Sequence, residues 1–219
     1  MDVSQALRTR RSVRAFTAQV PSAQLVQSLL QDAALSASGG NMQPWRAVAL
    51  TGAPLAAMLE EVSQSPEGET PAYQAYPSNL WEPYRTRRFA NGEDLYKSIG
   101  IPREDKPARL RQQARNGAFF GAPVGIVILV DQRMGPPQWM DLGLYLQALM
   151  LRATEEGLAT CAQGFWRRYD ALVRRHLAVP AGYMVACGVA LGYEDTSAPI
   201  NTMRATRADF SEWGQLLGF

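Results

Sequence analysis

Acid–base side chains are scarce in this chain. His176 is the single histidine among 219 residues, set beside Arg174 and Arg175 on a helical pattern, where it reads as a surface or half-buried side chain. A Ser-His-Asp or Cys-His arrangement would have to be built on His176 alone, and no Gly-x-Ser-x-Gly elbow is present. The two cysteines, Cys161 and Cys187, cannot frame a disulfide scaffold and lack a metal-ligand spacing. No His-Glu-x-x-His, paired Cys-x-x-Cys or EF-hand loop occurs, so no metal is expected, and the glycine-rich dinucleotide and Walker A patterns are missing too. The longest apolar stretches, such as Val124 to Val130, fall far short of the ~20 residues of a membrane-spanning helix. Met1-Asp2-Val3-Ser4-Gln5 has no apolar segment behind a basic start, so no secretion signal is read and a cytoplasmic protein is expected. Charge of one sign is lacking as well: 22 basic and 20 acidic residues leave +2, too balanced to point to nucleic acid. No self-similar period marks a repeat protein.

What the chain does contain is ordinary globular material, 47% hydrophobic and 19% charged. Its length fits one large domain, residues 1–219, with an excursion. Helical spacing over Val3–Leu7 leads through an arginine-rich run to Phe16, and Pro21-Ser22 opens a helix with Leu25, Val26, Leu29, Leu30 and Ala33 on one side. Ser38-Gly39-Gly40-Asn41 stops it. A strand over Trp45–Leu50 and a helix over Ala53–Val62 follow. From about 63 to 107 the character changes. Pro66, Pro71, Pro77, Pro83, Pro102 and Pro107 interrupt a stretch loaded with Tyr73, Tyr76, Trp81, Tyr84, Phe89 and Tyr96. This reads as an excursion with helices at about Pro83–Ser98 and Pro107–Gly117, either a substrate wall or packing under a long loop. Val124–Val130 is a strand buried on both faces. The helix Trp139–Glu156 is expected to be central and to end at Gly157 in the left-handed conformation. A strand at Leu158–Cys161, a helix at Tyr169–Leu177, a strand at Val185–Leu191 and a last helix at Phe210–Leu217 complete a pattern of helices packed about a sheet.

An enzyme so poor in acid–base groups would take its chemistry from a cofactor, which needs binding, orientation and electrostatics from the protein. Lys97 and Lys106 are the only lysines; the remaining basic residues are arginines, whose planar forks suit phosphate and carboxylate. Arg10-Arg11-Ser12-Val13-Arg14 sets three guanidiniums and a hydroxyl in five residues, able to hold a phosphate dianion through charge-assisted bonds of ~1.5–3 kcal/mol each. Arg204 and Arg207 could close on the same phosphate if the chain ends meet. Ser38 to Trp45 pairs a flexible turn with two amides that could read the edge of a heterocycle. Thr160 to Phe165 follows a strand with a glycine where backbone N–H groups could approach a flat ring. Taken singly, each arginine is also plain surface charge and each glycine segment also a simple turn.

Four motifs in order, Arg-Arg-Ser-Val-Arg-x-Phe (Arg10–Phe16), Asn-x-Gln-Pro-Trp (Asn41–Trp45), Glu-Gly-Leu-x-Thr (Glu156–Thr160) and Arg-x-x-Arg (Arg204, Arg207), span nearly the whole chain. Together they resemble the FMN-dependent nitroreductase family. The middle section, with Tyr76-Pro77, Trp81-Glu82-Pro83, Arg87-Arg88, Gly92, Leu95-Tyr96 and Gly100-Ile101, is similar to the branch that includes nitrobenzoate reductases. The resemblance implies an α+β fold, a mixed central sheet flanked by helices, assembled as an intertwined homodimer with FMN at the interface. It implies that Arg10, Ser12 and Arg14 hold the phosphate and ribityl end, with Arg11 adjacent through its backbone and Arg207 or Arg204 completing the clamp. Ser38, Gly39, Asn41 and Gln43 would reach the flavin edge from the second subunit, and Gln163 and Gly164 would lie at the ring centre with a backbone N–H toward N5. NADH or NADPH would deliver hydride to the flavin, an electron-poor aromatic would then take its place, and no protein side chain would act as base or nucleophile. Positive charge near N1 and O2 would favour the reduced flavin. Quinones, enones, free flavin or halogenated aromatics are the alternative acceptors, and a flavin-binding protein without turnover is the alternative class. Arg85, Arg87 or Arg88 pairing a substrate carboxylate is a further expectation.

Overall fold

The continuous apolar run Val124–Val130 becomes the second strand of a four-stranded sheet, and its burial sets the architecture. The protein is described from a computed structural model covering residues 1–65 and 68–219; Pro66, one of the breaks expected in the excursion, lies outside the described residues. The elements run α1 (Val3–Thr9), α2 (Ala23–Ala33), β1 (Arg46–Thr51), α3 (Gly52–Ser63), α4 (Tyr84–Ser98), α5 (Lys106–Ala114), β2 (Val124–Asp131), α6 (Pro136–Glu155), β3 (Ala159–Gln163), α7 (Asp170–His176) and β4 (Tyr183–Gly192). The sheet order is β1-β2-β4-β3. Every named pair is antiparallel, Val127 facing Val48 on one side and Gly188 on the other. Parallel pairing enters through the isolated Ser12–Thr160 bridge.

Antiparallel sheets commonly leave one face to water and alternate polar with apolar residues. Here β2 is apolar from Val124 to Val130 because both faces are covered. Val127 and Leu129 enter a core with Met58, Val62, Phe119, Trp166 and Val173. Ile126, Ile128 and Val130 enter a second core with Leu29, Leu142, Tyr145, Leu149 and Ala153. Trp166 is fully buried and stacks on Phe119 at 4.2 Å. It also lies over Gly188, where a Cβ would meet its ring at 2.2 Å, so that glycine is required by close approach.

Local chemistry starts and stops the elements as expected. Ser22 caps α2 through Leu25 N at 3.1 Å, and Gly157 ends α6 with φ 72°. Several boundaries differ from the sequence reading by one to three residues, β4 for example starting at Tyr183 rather than Val185. Helix α6 begins at Pro136, not Trp139, because proline suits the first helical position, where its missing N–H is no loss. Helix α5 stops at Ala114, and a 3-10 turn carries the chain to Gly121. Strand β3 continues past Cys161 to Gln163, paired with Gly188. One element is corrected outright: in place of a helix over Phe210–Leu217 there is a single 3-10 turn, Phe210–Glu212. Eight residues without a face to bury lie below the length at which a helix holds itself in water. His176 is half-buried and structural, its Nδ1 3.3 Å from Glu61 Oε1 and its Nε2 3.2 Å from Pro54 O. Among the described residues no helix is long and apolar enough to cross a membrane and no cluster suits a metal.

Candidate functional site

The two ends of the chain meet beside β3. After α1 the backbone returns along the sheet edge, with Val13 N donating to Thr160 O at 3.0 Å and Thr17 N to Tyr193 O at 2.9 Å. The C-terminal segment is fastened to this strap by Asn201, a buried residue whose Oδ1 accepts from Arg14 N at 2.9 Å. Its Nδ2 donates to Ala15 O at 2.9 Å and Asp195 O at 2.8 Å. Sequence reasoning missed Asn201. Only its place between two segments gives it a role, and nothing local in Ile200-Asn201-Thr202 signals it.

The fastening brings Arg207 against Arg10. Burial, and then the charge of Arg207, hold the Arg10 guanidinium below its ordinary pKa. The two like charges repel, and among the described residues neither has a carboxylate partner. Arg207 donates only to the carbonyls of Ala205 and Thr206. Arg14 likewise donates to Ser12 O at 3.2 Å and lies 6.0 Å over the Phe120 ring. Ser12 and both Arg10 and Arg14 act on the Cys161 thiol, although burial outweighs them and pushes that thiol up. Arg10, Ser12, Arg14 and Arg207 therefore form one cationic cluster at β3, and a dianion is the chemistry that satisfies it.

The remaining expected residues sort themselves around this cluster. Arg11 is spoken for by a bidentate pair with Glu194 at 2.6 and 2.5 Å. Arg204 closes on its own turn through the carbonyls of Asn201 and Thr202, which leaves Arg207 as the member that faces Arg10. Gln163 is buried, and its amide ties Asn116 O at 3.0 Å and Asn116 Oδ1 at 3.1 Å to the indole of Trp166 at 3.3 Å. That side chain braces the floor, while Ala162 and Gly164 on either side are exposed. The Gly164 carbonyl is held by Arg167 Nη1 at 2.6 Å.

Ser38, Gly39, Asn41 and Gln43 are placed elsewhere. Gly39 N donates to Asp141 at 3.2 and 3.3 Å, and Ser38 Oγ accepts from Gln43 N at 3.0 Å. The loop is thus tied to the start of α6. Asn41 and Gln43, both exposed, adopt φ of 55° and 48°, conformations that L residues enter at a cost. Among the described residues, no hydrogen bond joins this loop to the arginine cluster.

Above β3 lies a cavity of about 540 Å³, with Arg14, Phe120, Cys161 and Ala162 on one side and Tyr76, Arg88, Phe89 and Tyr96 on the other. The excursion is therefore a wall, built by α4 and α5. A cavity of about 600 Å³ between α3 and α5, lined by Leu59, Val62, Leu110 and Phe165, is larger, but it holds none of the cationic cluster.

The fold is thus an α+β sheet whose chain ends converge in an arginine cluster without carboxylate partners among the described residues, beside an aromatic-walled slot. The chain belongs to the nitroreductase family, whose sequence pattern matches residues 7–193. It is 35% identical to a nitrobenzene nitroreductase of Ectopseudomonas oleovorans, covering 96% of this chain and 95% of that one. It is 34% identical to a 4-nitrobenzoate reductase of Pseudomonas putida, covering 100% and 96%. Among solved structures, the FMN and NADPH-dependent nitroreductase NfnB of Sphigopyxis sp. strain HMH superposes with a TM-score of 0.96 at 40% identity over 100% of both chains.

Proposed function

We propose that this chain is an FMN-dependent, NAD(P)H-consuming oxidoreductase that reduces nitroaromatic compounds, with residues 1–219 forming one flavin-binding domain that works in the cytoplasm. The observation that carries the reading is the convergence of Arg10, half-buried, and Arg207, exposed, two cations with no carboxylate partner among the described residues. A phosphate monoester supplies the missing charge, and relatives of this family carry one on FMN. In this reading Arg10, Ser12, Arg14 and Arg207 hold the phosphate end. Arg11 keeps its guanidinium on Glu194 and contributes backbone, and Arg204 supports the turn that presents Arg207. Gln163 fixes the floor, and Ala162 and Gly164 let a flat ring lie close to the backbone.

Bound FMN would supply the two-electron chemistry, accepting hydride from NADH or NADPH at N5 and passing it to an electron-poor acceptor. In this reading donor and acceptor take turns in the one slot above β3, so ping-pong kinetics are expected. A nitro group takes up two electrons and two protons, loses water and becomes nitroso; a second turn gives the hydroxylamine. The protein's own residues bind and orient, and none is needed as base or nucleophile.

The Ser38–Gln43 loop fits this reading as a contribution from a second subunit, since its own chain ties it to α6 and away from the cluster. A homodimer also accounts for the apolar surface left bare: Met140 and Leu144 on the outer side of α6, and Trp213, Leu216, Leu217 and Phe219 in the tail are all exposed. The test is an absorption spectrum of the purified protein followed by anaerobic NADH or NADPH. A yellow protein that bleaches and then recovers its colour with a nitroarene carries the proposal. A folded protein that takes up no flavin ends it.

A further inference from the structure

We infer that Arg88 is a specificity-determining residue that receives the carboxylate of an acidic nitroarene at the rim of the slot. The inference rests on the nitroreductase reading above and narrows its substrate to carboxylated aromatics. Relatives of similar identity bear the names of both charged and uncharged nitroarenes, so family membership leaves the choice open.

The structure separates three arginines that the sequence leaves equivalent. Arg87 reaches Glu212 at 2.9 Å and points to the C-terminal segment. Arg85 is engaged at 2.6 Å by Glu82, which lies three residues earlier, just before the start of α4. Arg88 has no carboxylate among the described residues; its guanidinium lies 4.5 Å from the centre of the Tyr76 ring. A cation–π contact engages the guanidinium without using its N–H donors, which stay free to pair with a carboxylate.

The charge of the slot agrees. Its ionised lining groups are Arg14, Arg85, Arg88 and Glu93. Glu93 is neutralised by Arg109 through two bonds of 2.5 and 3.0 Å, so the slot is left cationic. Arg14 belongs to the floor, turned to Ser12 O and Phe120. In the wall, Gln112 Nε2 is buried without an acceptor, a donor that an anionic or nitro oxygen would satisfy. Phe89 and Tyr96 supply apolar area for the ring.

The experiment uses the FMN-loaded protein and two isosteric, unreducible ligands, benzoate and benzamide, titrated by calorimetry. Benzoate is expected to bind about tenfold more tightly, the value of one charge-assisted bond at an exposed rim. That preference should shrink as salt rises, fall to about one in R88A and R88Q, and persist in R87A. No preference in the parent protein, or a preference that R88A and R88Q both leave intact, overturns the inference. In a second arm, 4-nitrobenzoate and 4-nitrobenzamide are compared by kcat/KM. Loss of the benzoate preference in R88A without turnover of either nitroarene sinks the nitroreductase reading and leaves Arg88 standing. Equal turnover of both, with no binding preference, does the reverse.

Discussion

The central sheet and the α4–α5 excursion are held together by different physics. In β2 all residues but the last are buried, and its neighbours fill two hydrophobic cores. In α4 and α5 no residue is fully buried. Arg109 joins α5 to α4 through Glu93 and over the Tyr96 ring at 4.2 Å, Arg103 in their connection lies 5.1 Å over Phe89 of α4, and Arg87 ties α4 to Glu212 in the C-terminal segment. Apolar burial is non-directional and strong in sum, whereas exposed ion pairs and cation–π contacts are weak and geometrically particular. The sheet thus sets stability and the excursion sets the shape of the slot, a division that lets one vary without undoing the other.

The sharpest way to break this contrast is to attack each region in turn. Trp166→Ala empties the centre of the first core and is expected to cost about 3–5 kcal/mol, read as a large drop in the denaturant midpoint. Tyr96→Ala in α4 should lower it far less, and equal losses would refute the division. Next in size, Arg10→Ala combined with Arg207→Ala should weaken FMN binding at least about 100-fold, two lost charge-assisted bonds. The flavin-free variant should be no less stable than the parent, because a repulsive pair has been removed. A clear loss of stability without flavin would mean the pair is structural. Smaller again, Arg109→Ala should raise amide hydrogen exchange in α4 and α5 while β2 and β4 keep their protection. The least effect concerns Asp131 at the end of β2, whose carboxyl Arg133 holds down at about 2. A depressed carboxylate pKa stabilises the fold above the ordinary value and loses that effect as pH falls. The small stability difference between the parent and Asp131→Asn should therefore be present at neutral pH and vanish between about pH 4 and pH 2.

What the sequence revealed follows the same division. Strand β2, the apolar side of α6 and the glycine stop at Gly157 are legible because burial and chain reversal impose a period or a residue type. Proline placement also marked the excursion helices. The tail misled because Trp213, Leu216 and Leu217 mimic one face of a helix, yet within this chain nothing covers that face. The arginines of the site could be nominated from their spacing. Sorting them needed the positions of Glu194, Glu212 and Glu93, which are remote in sequence from the arginines they engage and carry no local mark. Asn201, which fastens the two chain ends, was invisible for the same reason. Gln163 was half legible: alternation along β3 buries Cys161 and Gln163 and exposes Ala162, but a buried glutamine announces its partners only in three dimensions.

The most direct measurement of the central claim is to titrate the flavin-free protein with FMN and with riboflavin, which differ by the phosphate alone. A phosphate gripped by Arg10 and Arg207 predicts FMN at least about 100-fold tighter, with the difference collapsing in the double alanine variant. Equal affinity for the two flavins in the parent protein would contradict it.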